Sequence, residues 1–189
     1  MAFIFFAGFI IFQRIVELKI AKRNEKWMKN KGAIELGQGH YPAMVMIHTA
    51  FFISYISEVI LLDKTLTRYW PWLMMVFLLT QAMRVWSLMS LGRFWNTKII
   101  ILPGANVVKK GPYRMIKHPN YLIVTVELII IPLMFNAFFT FVLFTILNIL
   151  ILSIRIPAEE KALKQLTEYE ATFTQQGRFV PNLLKKYDN

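Results

Sequence analysis

The run Lys117-His118-Pro119-Asn120-Tyr121 concentrates more chemistry than any other stretch of this chain. Proline suits the first position of a helix, where an N–H would be unpaired anyway, so Pro119 places His118 at a helix cap. A helix start offers free backbone N–H groups and a partial positive charge, which can hold a carboxylate or phosphate. His118 adds a donor there, and Tyr113 and Tyr121 can offer ring faces to a planar or cationic ligand. A second group follows at Arg155 and the adjacent Glu159 and Glu160. A carboxylate in this place can accept hydrogen bonds from an ammonium group or ribose hydroxyls, and Arg155 can partner it or face a substrate anion. Plainer readings stand beside these. His118 and Pro119 can simply cap a helix, the tyrosines can belong to an interfacial aromatic belt, and the glutamates can favour a helix dipole.

The elements that must position these groups are membrane helices. Of 189 residues, 56% are hydrophobic and only 17% charged, whereas soluble domains run nearer ~45–50% apolar with about a quarter charged. Five apolar runs emerge: Ala2 to Leu18, Pro42 to Leu62, Trp70 to Leu91, Tyr121 to Phe135 and Ala137 to Ile156. A span needs about 20 apolar residues, so the fourth, short and carrying Pro132, crosses only with help from its neighbours. Only Asn136 separates it from the fifth, which predicts a tight helical hairpin. The first run lacks a basic leader and a small-residue cleavage site, so it reads as a span and not as a removable signal.

Lys and Arg crowd residues 19–31, 93–117 and the tail, while 62–69 hold only Lys64 and Arg68 and the last connection holds none. Basic residues accumulate on the cytoplasmic side, so five crossings place the amino terminus outside and the carboxyl terminus inside. Topology and anionic headgroups thereby account for the net charge of +11, and no nucleic acid partner is needed. The chain has no cysteine and three scattered histidines, His40, His48 and His118, which predicts no metal site.

Residues 19–41 read as a solvated helix and loop. In the 92–120 connection, β-branched Thr97 to Leu102, the Pro103-Gly104 turn and Asn106 to Val108 predict a small β-hairpin, followed by a turn at 111–114. After the fifth span, Leu163, Leu166, Tyr169 and Phe173 recur at helical spacing, which predicts an amphipathic helix lying along the inner face. Ionisable residues inside spans are costly and face partners or cavities. Glu58, Arg84 and Glu127 are such residues. With Gln81 they suggest either a polar pocket among the second, third and fourth spans or pairing for assembly alone.

The stretch Gly111 to Tyr121, followed by Arg155, Glu159-Glu160, Tyr169 and Arg178-Phe179-Val180-Pro181, resembles the isoprenylcysteine carboxyl methyltransferase family, most of all its small bacterial members. The similarity runs from about Leu91 to Pro181 and includes Leu91-Gly92-Arg93-Phe94-Trp95 and Leu102-Pro103-Gly104. Two positions depart from the family's pattern: Lys117 where Arg is usual before the His, and Ile123 where Gly often stands. The resemblance implies an all-α integral membrane fold, with three helices in residues 1–91 and a methyltransferase core in 92–189. It implies S-adenosylmethionine as cofactor on the cytoplasmic side, held by Tyr113, His118, Pro119, Tyr121 and Glu159. Arg155 would orient the substrate or stabilise its anion, and Glu160 would assist. The expected reaction is O-methylation of a carboxyl or hydroxyl on an amphiphilic lipid, either isoprenylcysteine-like or a long-chain alkyl pyrone or phenol. A phospholipid N-methyltransferase, a reductase of related helical arrangement and a non-catalytic membrane adaptor are the other readings. No Gly-x-Gly-x-x-Gly follows a strand, so a Rossmann-type cofactor domain is excluded.

Overall fold

The structure, a computed structural model, describes residues 1–174 and 176–181. The end of the 92–189 segment, with Lys185 and Lys186, lies outside the described residues. In order, the elements are α1 (Ala2–Asn30), β1 (Ile34–Leu36), α2 (Tyr41–Leu61), α3 (Trp70–Leu91), β2 (Ile99–Ile101), α4 (Pro119–Met134), α5 (Phe138–Leu166) and α6 (Tyr169–Thr172), with 3₁₀ turns at Gly92–Phe94 and Gly111–Arg114. Among the described residues, three helices are long and apolar enough to cross a membrane: α2, α3 with its 3₁₀ extension to Phe94, and α5. The 16-residue α4 is shorter, and α1 carries Arg14 and Glu17 within its apolar half.

At one end of the bundle, Phe3 of α1 meets Tyr55 of α2 and Phe135 edge-on, at 5.3 and 5.2 Å between ring centroids. The hairpin between α4 and α5 closes here. Asn136 turns it in the left-handed region (φ 54°), a conformation that asparagine tolerates better than most residues. Its side chain also donates to the Thr65 carbonyl at 3.0 Å. Glu58 caps α5 from across the bundle, accepting from the backbone N–H groups of Phe139 (3.1 Å) and Thr140 (2.8 Å). These are donors that a helix start leaves unpaired. Glu58 therefore serves this cap and not the polar pocket expected of the second, third and fourth spans.

That pocket is instead built by α1, α3 and α4. Glu127, 2% exposed, accepts from Arg84 Nε at 3.0 Å, from Gln81 at 2.7 Å and from Arg14. Glu17 takes Arg84 at 3.1 Å and Arg14 at 2.7 Å. Two arginines and two glutamates thus neutralise one another where unpaired charge would be most costly.

The opposite, basic end gathers the connections. The expected hairpin of 97–102 with 106–108 does not form. Ile99–Ile101 pairs instead, antiparallel, with Ile34–Leu36, in the register Ile34 to Ile101 and Leu36 to Ile99. The Pro103-Gly104 turn is present, but Gly104 N–H donates to the Leu166 carbonyl at 2.9 Å, drawing the chain away toward the end of α5. The first connection is correspondingly more ordered than a solvated loop. α1 runs on to Asn30, and Asn24 donates to the carbonyls of Trp95 (2.8 Å) and Gly92 (3.2 Å). Lys98 bridges Glu25 and Glu35 at 2.9 and 3.1 Å. Hydrogen bonding from Lys29 holds the Glu35 carboxyl below its usual range despite its partial burial.

The tail departs from expectation as well. α5 continues through Pro157 to Leu166, and among the described residues only the four-residue α6 follows. Ala158, Ala162, Leu163 and Leu166 pack on the sheet residues Ile99, Ile101 and Leu36, while Tyr169 and Phe173 pack on Tyr113. The apolar stripe thus covers the connector, and the separate helix expected along the inner face is absent among the described residues.

Candidate functional site

His118 is the N-cap of α4 and Pro119 occupies its first turn, so the local sequence sets the start of this helix as its chemistry dictates. The backbone N–H groups of Lys117 and His118 donate to Gly177 and Arg178 carbonyls at 3.0 and 3.1 Å, stitching the segment to the tail. Tyr113 stands on the 3₁₀ turn at Gly111–Arg114. Gly111 adopts φ +53°, and a Cβ there would lie 2.1 Å from Ser90 Oγ and 2.8 Å from Trp86 Nε1, so the turn seats against α3 only with glycine.

Three of the expected residues form a chain. The Tyr121 hydroxyl donates to Glu159 and accepts from Arg155 Nε at 2.8 Å. Arg155 is 4% exposed and is held further by the Thr97 carbonyl, which accepts from Nη2. Its Nη1 donates to no other described residue, and the side chain lines the main cavity. A buried guanidinium with an open N–H is a receptor for an oxygen anion.

His118 and Glu160 form a second unit. His118 Nε2 lies 3.0 Å from Glu160 Oε1, and since the ionised carboxylate can only accept, Nε2 carries the proton. Arg178 clamps the same carboxylate through Nε at 2.9 Å and Nη2 at 2.6 Å, a bidentate geometry that fixes orientation. The two glutamates therefore face apart. Glu159 lines the main cavity, whereas Glu160, expected to assist the reaction, borders a separate groove with Pro157, Lys161 and Lys164. Neighbouring helix residues sit about 100° apart, so one carboxylate facing in turns the other aside.

The main cavity holds about 600 Å³, within the range of small-molecule pockets. Its inner end is walled by Tyr113, Lys117, His118, Tyr121, Arg155 and Glu159, and it then runs between α1 and α2 as far as Ile11 and Ile56. The distance along α2 from Tyr41 to Ile56 corresponds to about 22 Å. Ile15 and Leu18 of α1 and Val45 and Ile53 of α2 line this cavity yet remain exposed, so its wall opens sideways between the two helices.

All seven expected site residues are thus brought to one end of the bundle. Sequence reading assigned no place in the site to Thr97, Arg178 or Tyr169. Thr97 acts through a backbone carbonyl, which leaves no trace in residue type. Arg178 and Tyr169 are visible in the tail motif, and only the fold shows what they touch.

Three membrane-length apolar helices among the described residues, in a bundle with a polar pouch closing one end of an elongated apolar cavity, define a membrane protein. The model of the isoprenylcysteine carboxyl methyltransferase (ICMT) family matches residues 72–165. The chain is 47% identical over 156 residues to the uncharacterized protein YpbQ of Bacillus subtilis, covering 82% of this chain and 93% of that one. An uncharacterized protein of Haemophilus influenzae is 29% identical over 154 residues, covering 81% and 90%. The chain belongs to the isoprenylcysteine carboxyl methyltransferase family.

Proposed function

We propose that the chain is a multi-pass membrane methyltransferase that moves a methyl group from S-adenosylmethionine to an oxygen of a lipophilic acceptor. The observation that carries this reading is the unit Tyr121–Arg155–Glu159, with His118 beside it, at the inner end of a cavity whose other part is apolar and open to the side. Family membership supports the class of reaction.

The residues present suit the cofactor. Glu159 offers a carboxylate to an ammonium or ribose hydroxyls, His118 and Tyr113 line the same wall, and two buried tyrosine hydroxyls there lack partners among the described residues. When bound, S-adenosylmethionine supplies an electrophilic sulfonium methyl. The chain's own part is positioning and exclusion of water. Tyr121 holds Arg155 and Glu159 at a fixed separation, and Arg155 directs its open N–H toward an acceptor oxygen. A carboxylate acceptor requires no base, and a phenol or enol acceptor reacts as the anion that Arg155 favours. Glu160 acts through His118, keeping its ring oriented, so it is a positioning residue. Holding two ligands in line contributes several kcal/mol, up to ~7–11 in the best-oriented cases.

In this reading α1 and α4 also cross, giving five spans with the amino terminus outside and the pouch cytoplasmic. Residues 1–91 wall the acceptor channel, and 92–189 carry the cofactor pouch. The acceptor is an isoprenylcysteine-like or long-chain alkyl pyrone or phenol lipid, reaching the cavity from the bilayer between α1 and α2.

The test is titration of S-adenosylhomocysteine into the detergent-purified protein. Wild type binds, and His118→Ala and Glu159→Gln each lose about tenfold or more, the effect of one charge-assisted hydrogen bond. Absence of binding by wild type would overturn the function, and unchanged affinity in both variants would overturn the site.

A further inference from the structure

Tyr113 and Tyr169 are 7% and 3% exposed, both line the main cavity, and neither hydroxyl has a hydrogen-bond partner among the described residues. A buried hydroxyl without a partner is unfavourable, and one such group beside a cavity calls for a ligand atom to complete it. Here there are two, on different elements. Tyr113 stands on the 3₁₀ turn after the sheet, and Tyr169 opens α6. Their side chains pack in one cluster with Phe173, whose ring centroid is 5.0 Å from that of Tyr169.

A cation completes the corner. Lys117 Nζ sits 5.9 Å from the Tyr169 ring centroid and makes no salt bridge with a described carboxylate. Lys117 also lines the cavity, and its backbone is tied to Gly177. Burial first, and the charge of Glu159 second, push the Tyr113 phenol well above its usual range, and burial does the same for Tyr169. Both therefore remain O–H groups with a proton to donate. Two protonated phenols with an O–H free to donate, beside an ammonium that can only donate, favour an anion.

Resting on the methyltransferase reading above, we propose that Tyr113, Tyr169 and Lys117 form the subsite for the carboxylate at the amino-acid end of the methyl donor. Glu159 on the same cavity decides the charge type. It opposes a dianion such as phosphate, whereas a zwitterion sets its ammonium toward Glu159 and its carboxylate toward the hydroxyls.

Two ligands separate this subsite from the rest of the pouch: S-adenosylhomocysteine, which has the amino-acid end, and methylthioadenosine, which lacks it. Each is titrated into detergent-purified wild type, Tyr113→Phe, Tyr169→Phe and Lys117→Gln, and ligand-free melting is recorded for all four. Tyr169→Phe and Tyr113→Phe each weaken S-adenosylhomocysteine about tenfold, the effect of one hydrogen bond to a charged group, and leave methylthioadenosine unchanged. Their ligand-free melting temperature is equal to or above wild type, because an unpartnered buried hydroxyl has been removed. Lys117→Gln weakens S-adenosylhomocysteine and reduces the salt dependence of its binding. Equal losses for both ligands would move the hydroxyls to the adenosine end and overturn the assignment. Unchanged affinities, or losses that accompany a lower ligand-free melting temperature, would overturn it too. Failure of wild type to bind either ligand would remove the methyltransferase reading itself.

Discussion

At the scale of single residues, the Tyr121 hydroxyl is the hinge of the reading, because it accepts from Arg155 and donates to Glu159 in the same place. Tyr121→Phe keeps the ring and removes both bonds, freeing a buried guanidinium and a carboxylate to move. Turnover should fall about 10²-fold, the loss typical of one preorganised donor at a reacting centre, and the melting temperature should fall too, because a buried guanidinium loses a partner. Single-turnover methyl transfer with the purified variant measures this, and wild-type rates would remove Tyr121 from the site. The placement of the first of these groups was legible from residue order alone. His118, Pro119 and Tyr121 sit where a helix must start, and that rule holds in any context. Which glutamate faces the cavity was not legible. It depends on the phase with which α5 passes through Pro157, and that phase is set by the packing of Ala158 and Ala162 on the sheet. The Thr97 carbonyl was hidden for a simpler reason: every residue has one.

At the scale of elements, the 3₁₀ turn that carries Tyr113 is held by Gly111, where φ is +53° and Ser90 and Trp86 leave no room for a Cβ. Gly111→Ala meets both constraints at once, a backbone strain of order 1–3 kcal/mol and an overpacked contact. The variant should melt lower and bind S-adenosylhomocysteine more weakly, because Tyr113 moves with the turn. Melting in detergent with and without that ligand shows both effects, and a wild-type result in both would contradict the packing described. The apolar helices were readable because their length and composition leave few alternatives. The β1 strand was not. Three residues, Ile34–Leu36, are too few to show a period, and they form a strand only because Ile99–Ile101 arrives from far along the chain. The expected partner at 106–108 was local in sequence, but the turn at Gly104 is captured by Leu166 instead. The tail's apolar stripe was recognised, yet such a stripe fits a protein surface as well as a lipid one, and here it covers the connector.

At the scale of the whole molecule, α1 is joined to α3 and α4 by the quartet Arg14, Glu17, Arg84 and Glu127. Glu127→Gln leaves the buried Arg84 and the partly exposed Arg14 sharing one carboxylate, and breaking a buried pair in this way costs about 3–5 kcal/mol. The variant should unfold at markedly lower temperature in detergent. An unchanged melting temperature would mean that the quartet is solvated and not part of the packed bundle. The sequence showed which of these residues were expensive to bury but not who would meet whom, since pairing across helices follows from rotation and tilt. Glu58 illustrates this, having left the expected pocket to cap α5.

The account as a whole requires that the pouch and the apolar channel act on two ligands in one event. Incubating the purified protein with methyl-labelled S-adenosylmethionine and a lipid extract of the source cells tests this directly. The label is predicted to enter an organic-soluble product bearing a new O-methyl group, with wild type active and Glu159→Gln strongly reduced. Label that stays wholly in the aqueous phase, although wild type binds the cofactor, would contradict the account.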